Sequence, residues 1–291
     1  MTGPVSHCAA RLLRAGLALG LAGVVGAPAA AETTLERIKQ TDRIGVAVAN
    51  ERPYGYITED GELSGESPTI ARAILERIDS GIRMEGKSMD WGQLIPRLQA
   101  GDVDVVAAGM FITPARCEQV AFSNPTYVVG ESFLVRAGNP KELDSYEAIS
   151  RDPDARVGLV AGTVEYNYAM HSGIPADRAP LYRDFGRAVD ALAAGEIHAV
   201  GLTSLTARSL ARSTTRADLE ATPQFYPVID GEEKKGYGAF AFRKEDAALV
   251  EAFNRHLADF IGSEAHWEAV EPFGFAPDMM PDRTAQELCA G

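Results

Sequence analysis

The apolar positions of this chain follow two rhythms in alternation. A continuous apolar run over 44–48 reads as a short buried strand. Behind Ser67-Pro68, the residues Ile70, Ala73, Ile74 and Ile78 recur at helical spacing, which predicts a helix capped by Ser67. A short helix is predicted over 35–40, a strand over 82–87, and a helix over 91–100 closed by Gly101. The second half repeats the pattern, with strands over 156–160 and 198–202, a helix over 163–172, and a helix over 185–194 closed by Gly195. Two further helices are predicted over 253–261 and 264–270. Strand and helix in alternation imply an α/β fold, mostly parallel sheets covered by helices on both faces. Apolar stretches over 131–136 and 236–243 read as crossings between two lobes.

Residues 1–31 stand apart from this rhythm. Arg11 and Arg14 precede an apolar run over 15–25, and Ala29-Ala30-Ala31 supplies a small-residue cleavage pattern. This is the form of a secretory signal peptide, and its apolar core is too short for a comfortable membrane span. No cysteine follows the apolar run, so no lipid anchor is expected, and mature protein is expected to begin near Glu32. The whole chain of 291 residues carries a formal charge of −13. Without residues 1–31 it has 26 basic and 41 acidic side chains, a charge of −15. That excludes a nucleic-acid binder, which needs clustered Lys and Arg, and suits a freely diffusing soluble monomer. Cys117 and Cys289 remain after Cys8 is removed. In an oxidising compartment they could form a disulfide or stay as two buried thiols. The five histidines are scattered and no CxxC occurs, so neither a metal site nor a cofactor is expected.

The candidate chemistry concentrates at strand ends, where open α/β sheets hold their ligands. The run over 103–109 reads as a buried strand ending in Gly109, where backbone can approach a ligand. Thr113-Pro114 reads as an N-cap with proline at the first helical position, and Arg116 lies in the first turn. Backbone N–H groups beside a guanidinium suit a carboxylate. Phe111 is placed to set a ring against the same anion. Glu51 and Tyr54 follow the first strand, Trp91 follows another, and Gly162, Thr163, Val164 and Glu165 follow a strand of the second half. One arginine, two carboxylates and three aromatic rings suit a zwitterion. Rings around a delocalised cation add about 0.5–2 kcal/mol each.

The block over 107–127, AAGMFITPARCEQVAFSNPTY, resembles the carboxylate-binding segment of family 3 periplasmic solute-binding proteins, the receptors of polar amino acid ABC importers. The resemblance spans about 35–275. It implies a type II periplasmic binding protein with two α/β lobes joined by a two-strand hinge. Residues 32–131 with 240–291 would form one lobe and 132–239 the other. It also implies a permease in the inner membrane as partner. Within the family, NERPYGY over 50–56, the block above, and GYGAFAFRK over 236–244 are similar to receptors for ectoine and hydroxyectoine.

Two departures from the family's amino-acid pattern bear on the solute. Members that hold an α-amino acid usually carry Asp at the end of the strand after G-x-x-D-A, where it receives the α-ammonium. Here that position is Thr203. They also usually carry a small hydroxyl residue where this chain has Phe111. A primary ammonium donates three hydrogen bonds, and a buried one left short of acceptors costs on the order of 1–3 kcal/mol or more. A cyclic solute with its charge spread over ring nitrogens meets this description better, and ectoine is such a compound. Rival readings are a receptor for another zwitterion, such as a basic amino acid or betaine, and a periplasmic dehydratase using Glu51 or Glu165 as general acid.

Overall fold

The computed structural model describes residues 1–3, 5, 32–213 and 218–291. The expected signal peptide therefore lies outside the described residues, apart from 1–3 and 5. From Glu32 onward the chain forms one compact unit built on two sheets.

The first sheet runs in the order Arg83–Ser88, Arg43–Val48, Val105–Phe111, Gly236–Phe242, Ala121–Phe122, with Tyr127–Val129 also on Gly236–Phe242. Its first three strands are parallel and its last ones antiparallel. The second sheet runs Leu181–Tyr182, Val157–Val160, Ala199–Thr203, Glu131–Arg136, Leu219–Ala221, parallel on one side of Ala199–Thr203 and antiparallel on the other. Strands buried on both faces read as unbroken apolar runs because helices cover both sides. Val105–Phe111, VVAAGMF, is buried at every position.

The chain leaves the first sheet at Gly130 and re-enters it at Gly236. The expected boundary at 239–240 thus cuts through Gly236–Phe242, which belongs whole to the first sheet. The physical reason is pairing: Gly236, Tyr237 and Gly238 lie opposite Val129, Val128 and Tyr127. Gly236 and Gly238 also admit the rings of Phe111 and Tyr127, since a Cβ there would lie 2.1 Å and 2.0 Å from them. The closing helices Ala247–Phe260 and Glu264–Val270 return to the first sheet, packing Phe253, Leu257 and Phe260 with Ile70, Ile74 and Phe242.

One helix start differs from expectation in a way that shapes the site. Helix Glu66–Ile78 is entered through Gly65, at φ 116°, and not through Ser67. A side chain at Gly65 would meet the Tyr54 carbonyl at 2.4 Å. Ser67 instead lies in the first turn, where its hydroxyl donates to the Glu66 carboxylate at 2.6 Å. The first-turn amides of Glu66 and Ser67 donate to the carbonyls of Pro53 and Tyr54, which ties the 51–55 loop to the helix. Cys117 and Cys289 are joined as a disulfide, which fastens the final helix Ala285–Ala290 to the Pro114–Cys117 turn.

Candidate functional site

Strand ends of both sheets meet at one cavity. Glu51, Tyr54, Trp91, Gly109, Phe111 and Arg116 line it from the first lobe, and Thr163, Val164, Glu165 and Thr203 from the second. The space between these side chains, counted together with the solvent it opens to, is about 280 Å³. Ten of the twelve residues expected from sequence at the site are therefore brought together. The other two stand behind it. Thr113 accepts the Arg116 amide at 3.3 Å as N-cap, and the Gly162 carbonyl accepts from two side chains of the first lobe.

Each lining group is fixed by local structure. Gly109 breaks the regular strand at φ 66°, where a Cβ would collide with the Tyr54 ring at 2.6 Å and the Tyr127 hydroxyl at 2.5 Å. Its carbonyl accepts from that hydroxyl at 2.9 Å, and the Tyr127 ring stacks on Tyr54 at 5.2 Å between centroids. Glu51 and Gly55 exchange two backbone hydrogen bonds, at 3.1 Å and 2.9 Å, so the loop bearing Glu51 and Tyr54 is stiff.

The Pro114–Cys117 helix is a single turn, so its dipole contributes little and Arg116 supplies the positive charge. The guanidinium donates to the Phe111 carbonyl at 2.8 Å and across the lobes to the Gly162 carbonyl at 3.0 Å. Of its five N–H donors, these bonds engage two. Trp91 lies 5.9 Å from the same guanidinium, and its indole N–H also reaches Gly162, at 3.1 Å.

The same region is also acidic. Glu51, Glu165 and Glu131 are all at most 5% exposed. Burial pushes the Glu51 carboxyl up to about 8, with Thr206 and Arg116 pulling it down and Glu165 pushing it further up. Burial likewise raises Glu165, partly offset by Thr163, its own amide and Arg116. Glu131 is raised well above the carboxylate range by burial and then by Glu165 and Glu51. Among the described residues, Glu131 Oε2 and Glu165 Oε2 have no hydrogen-bond partner. Buried acceptors of this kind call for donors, and Arg116 acts on Glu165 and Glu51. A buried guanidinium and buried carboxyls lining one cavity suit a small solute that carries both charges.

Sequence reasoning missed Glu131 and Thr206. A glutamate opening an apolar strand was a visible signal for the first, since Glu131 begins ESFLVR. Thr206 carries no such mark; it comes into play because Thr203 and Glu51 meet across the lobes, through Tyr54 Oη to Thr203 Oγ1 at 2.9 Å and Thr206 Oγ1 to Glu51 Oε1 at 2.6 Å.

Comparison with known proteins agrees with this architecture. The probable amino-acid ABC transporter periplasmic-binding protein of Sinorhizobium fredii is 35% identical over 97% of this chain and 95% of its own length. The histidine-binding periplasmic protein of Salmonella typhimurium is 26% identical over 84% and 90%. Among solved structures, EhuB in complex with hydroxyectoine superposes with a TM-score of 0.81 at 32% identity, covering 89% of this chain and 98% of that one. No helix among the described residues is long and apolar enough to cross a membrane. The model of the bacterial extracellular solute-binding proteins, family 3, matches residues 44–273, and the chain belongs to that family of ABC-transporter solute-binding proteins.

Proposed function

We propose that this chain is the receptor of an ABC importer for ectoine or hydroxyectoine. It captures the solute outside the inner membrane as a monomer and presents the closed form to a permease. The observation that carries the reading is Thr203. It occupies the position from which family members offer an aspartate to an α-ammonium group, and its hydroxyl is engaged by Tyr54 and Thr206 inside the protein. An α-amino acid would lack that acceptor. A cyclic amidinium carboxylate needs fewer donors satisfied, and it finds Glu51 and Glu165 at its charged ring, with Tyr54, Trp91 and Phe111 around it. The hydroxyectoine complex of EhuB, similar to this chain over nearly its whole length, supports the same choice.

The test is a thermal-shift panel of ectoine, hydroxyectoine, glycine betaine, L-arginine, L-histidine and L-glutamine. A solute that binds only the folded state raises the melting temperature in proportion to RT ln(1 + [L]/Kd). The two ectoines should give the largest shifts. A larger shift from an α-amino acid would refute the reading.

A further inference from the structure

Thr206 does not line the cavity, yet it makes a short polar contact with a residue that does. Its hydroxyl donates to Glu51 Oε1 at 2.6 Å and is 3.0 Å from Thr203 Oγ1. Thr203 Oγ1 in turn accepts from Tyr54 Oη at 2.9 Å and from the Thr206 amide at 3.2 Å. Thr206 itself is 1% exposed, in the first turn of Ser204–Ser213. The chain of hydroxyls therefore starts in the first lobe at Tyr54, passes through Thr203 and Thr206 of the second, and ends in the first lobe at Glu51.

We propose that Thr206 is a positioning residue that, through this relay, aims Glu51 into the cavity and favours its carboxylate form, so that a cationic solute and a proton compete for Glu51. The inference rests on the reading that the cavity takes a solute with a cationic end. An ionised carboxylate only accepts hydrogen bonds, so it fixes the direction of every hydroxyl in the relay. Tyr54 must donate to Thr203, Thr203 to Thr206, and Thr206 to Glu51. With Oε1 held this way, the second oxygen of Glu51 is left for the solute. The relay closes only when the lobes meet, so the carboxylate is completed as a binding group at the moment of closure.

The surroundings of Glu51 make its charge state sensitive. The acids Glu165 and Glu131 lie beside it, Arg116 brings opposite charge, and the phenols of Tyr54 and Tyr127 are also near. Burial favours the neutral acid, and Thr206 is the largest influence holding the carboxyl down. A cationic solute stabilises the carboxylate and expels the proton. Affinity should therefore rise with pH up to about 8 and level off above it. Removing the Thr206 hydroxyl should move that rise to higher pH.

The experiment is calorimetric titration of wild type, Thr206→Val and Thr206→Ser with ectoine from pH 6 to 9. Losing a hydrogen bond to a charged group should weaken binding near neutral pH by roughly 10- to 100-fold. The loss should shrink at the alkaline end, and Thr206→Ser should restore most of it. An unshifted pH profile in Thr206→Val, or no rescue by Thr206→Ser, would overturn the relay. If L-arginine or L-histidine binds and ectoine does not, the solute assignment fails and the same comparison is read with that amino acid. Melting curves without solute give an independent readout. A carboxyl raised from 4.5 in the unfolded chain to about 8 in the folded one contributes stability below pH 4.5 that is lost as pH rises through 8. Thr206→Val should extend that loss to higher pH, and Glu51→Gln should remove it. Coincident profiles for Thr206→Val and wild type would also refute the proposal.

Discussion

Arg116→Ala removes the positive charge at the carboxylate end of the cavity, and its cost can be built from the structure. Arg116 is 8% exposed, so whatever charge it holds is largely withdrawn from water. Leaving one partner of a desolvated pair alone typically costs about 2–5 kcal/mol. The bond to Gly162 across the lobes adds about 1 kcal/mol, because it forms only on closure. A third effect acts on the neighbouring acids. Arg116 pulls down the carboxyls of Glu51 and Glu165, so its loss leaves them more protonated and less attractive to a cation. Affinity for ectoine should fall at least about 30-fold and up to several-thousand-fold. Arg116→Lys should lie between, keeping a charge and losing the planar fork. Calorimetry at pH 8, with circular dichroism to confirm folding, reads the result. If folded Arg116→Ala binds ectoine within about threefold of wild type, a difference under 1 kcal/mol, the placement of the carboxylate is wrong.

Other outcomes are equally specific. Phe111→Ala should weaken solute binding by losing apolar contact and ring attraction, each about 1 kcal/mol or more, as read by calorimetry. Phe111→Ser combined with Thr203→Asp should shift preference toward α-amino acids in competition binding, since it provides acceptors for a primary ammonium. The disulfide joins residues 172 apart, so the chain-entropy account gives an upper bound of about 5 kcal/mol of stabilisation. Cys117→Ser with Cys289→Ser should lower the melting temperature, while unreduced, unfolded mature protein should show no thiol to labelling. Glu66 is raised by burial to about 7, against 4.5 as a free side chain, despite its bonds from Ser67 and Thr126. Its share of stability, on the order of 3 kcal/mol, is present below pH 4.5 and lost as pH rises through 7. Glu66→Gln should flatten the melting temperature between pH 5 and 8.

Much of this site was legible because strand ends announce themselves. Gly109, the Thr113-Pro114 cap and the Gly195 helix stop follow from backbone requirements that few other residues meet. What local pattern could not carry was pairing over long range. The return strand begins at Gly236 because Tyr127–Val129 lies against it, a contact no local window contains. Ser67 looked like a cap because hydroxyl residues cap helices, but the crowded Tyr54 carbonyl demanded glycine two positions earlier. Glu131 is drawn into the acidic cluster by its position opposite Thr203 in the second sheet, and Thr206 matters only through Glu51, 155 residues away.

The most direct measurement is titration calorimetry of wild-type protein, unfolded and refolded to strip any co-purified solute, with ectoine and, separately, with L-arginine and L-histidine. The account predicts one ectoine bound per chain, with a Kd at least about 100-fold lower than for either amino acid, a difference near 2.7 kcal/mol. Tighter binding of either amino acid, with little or no heat from ectoine, would contradict it.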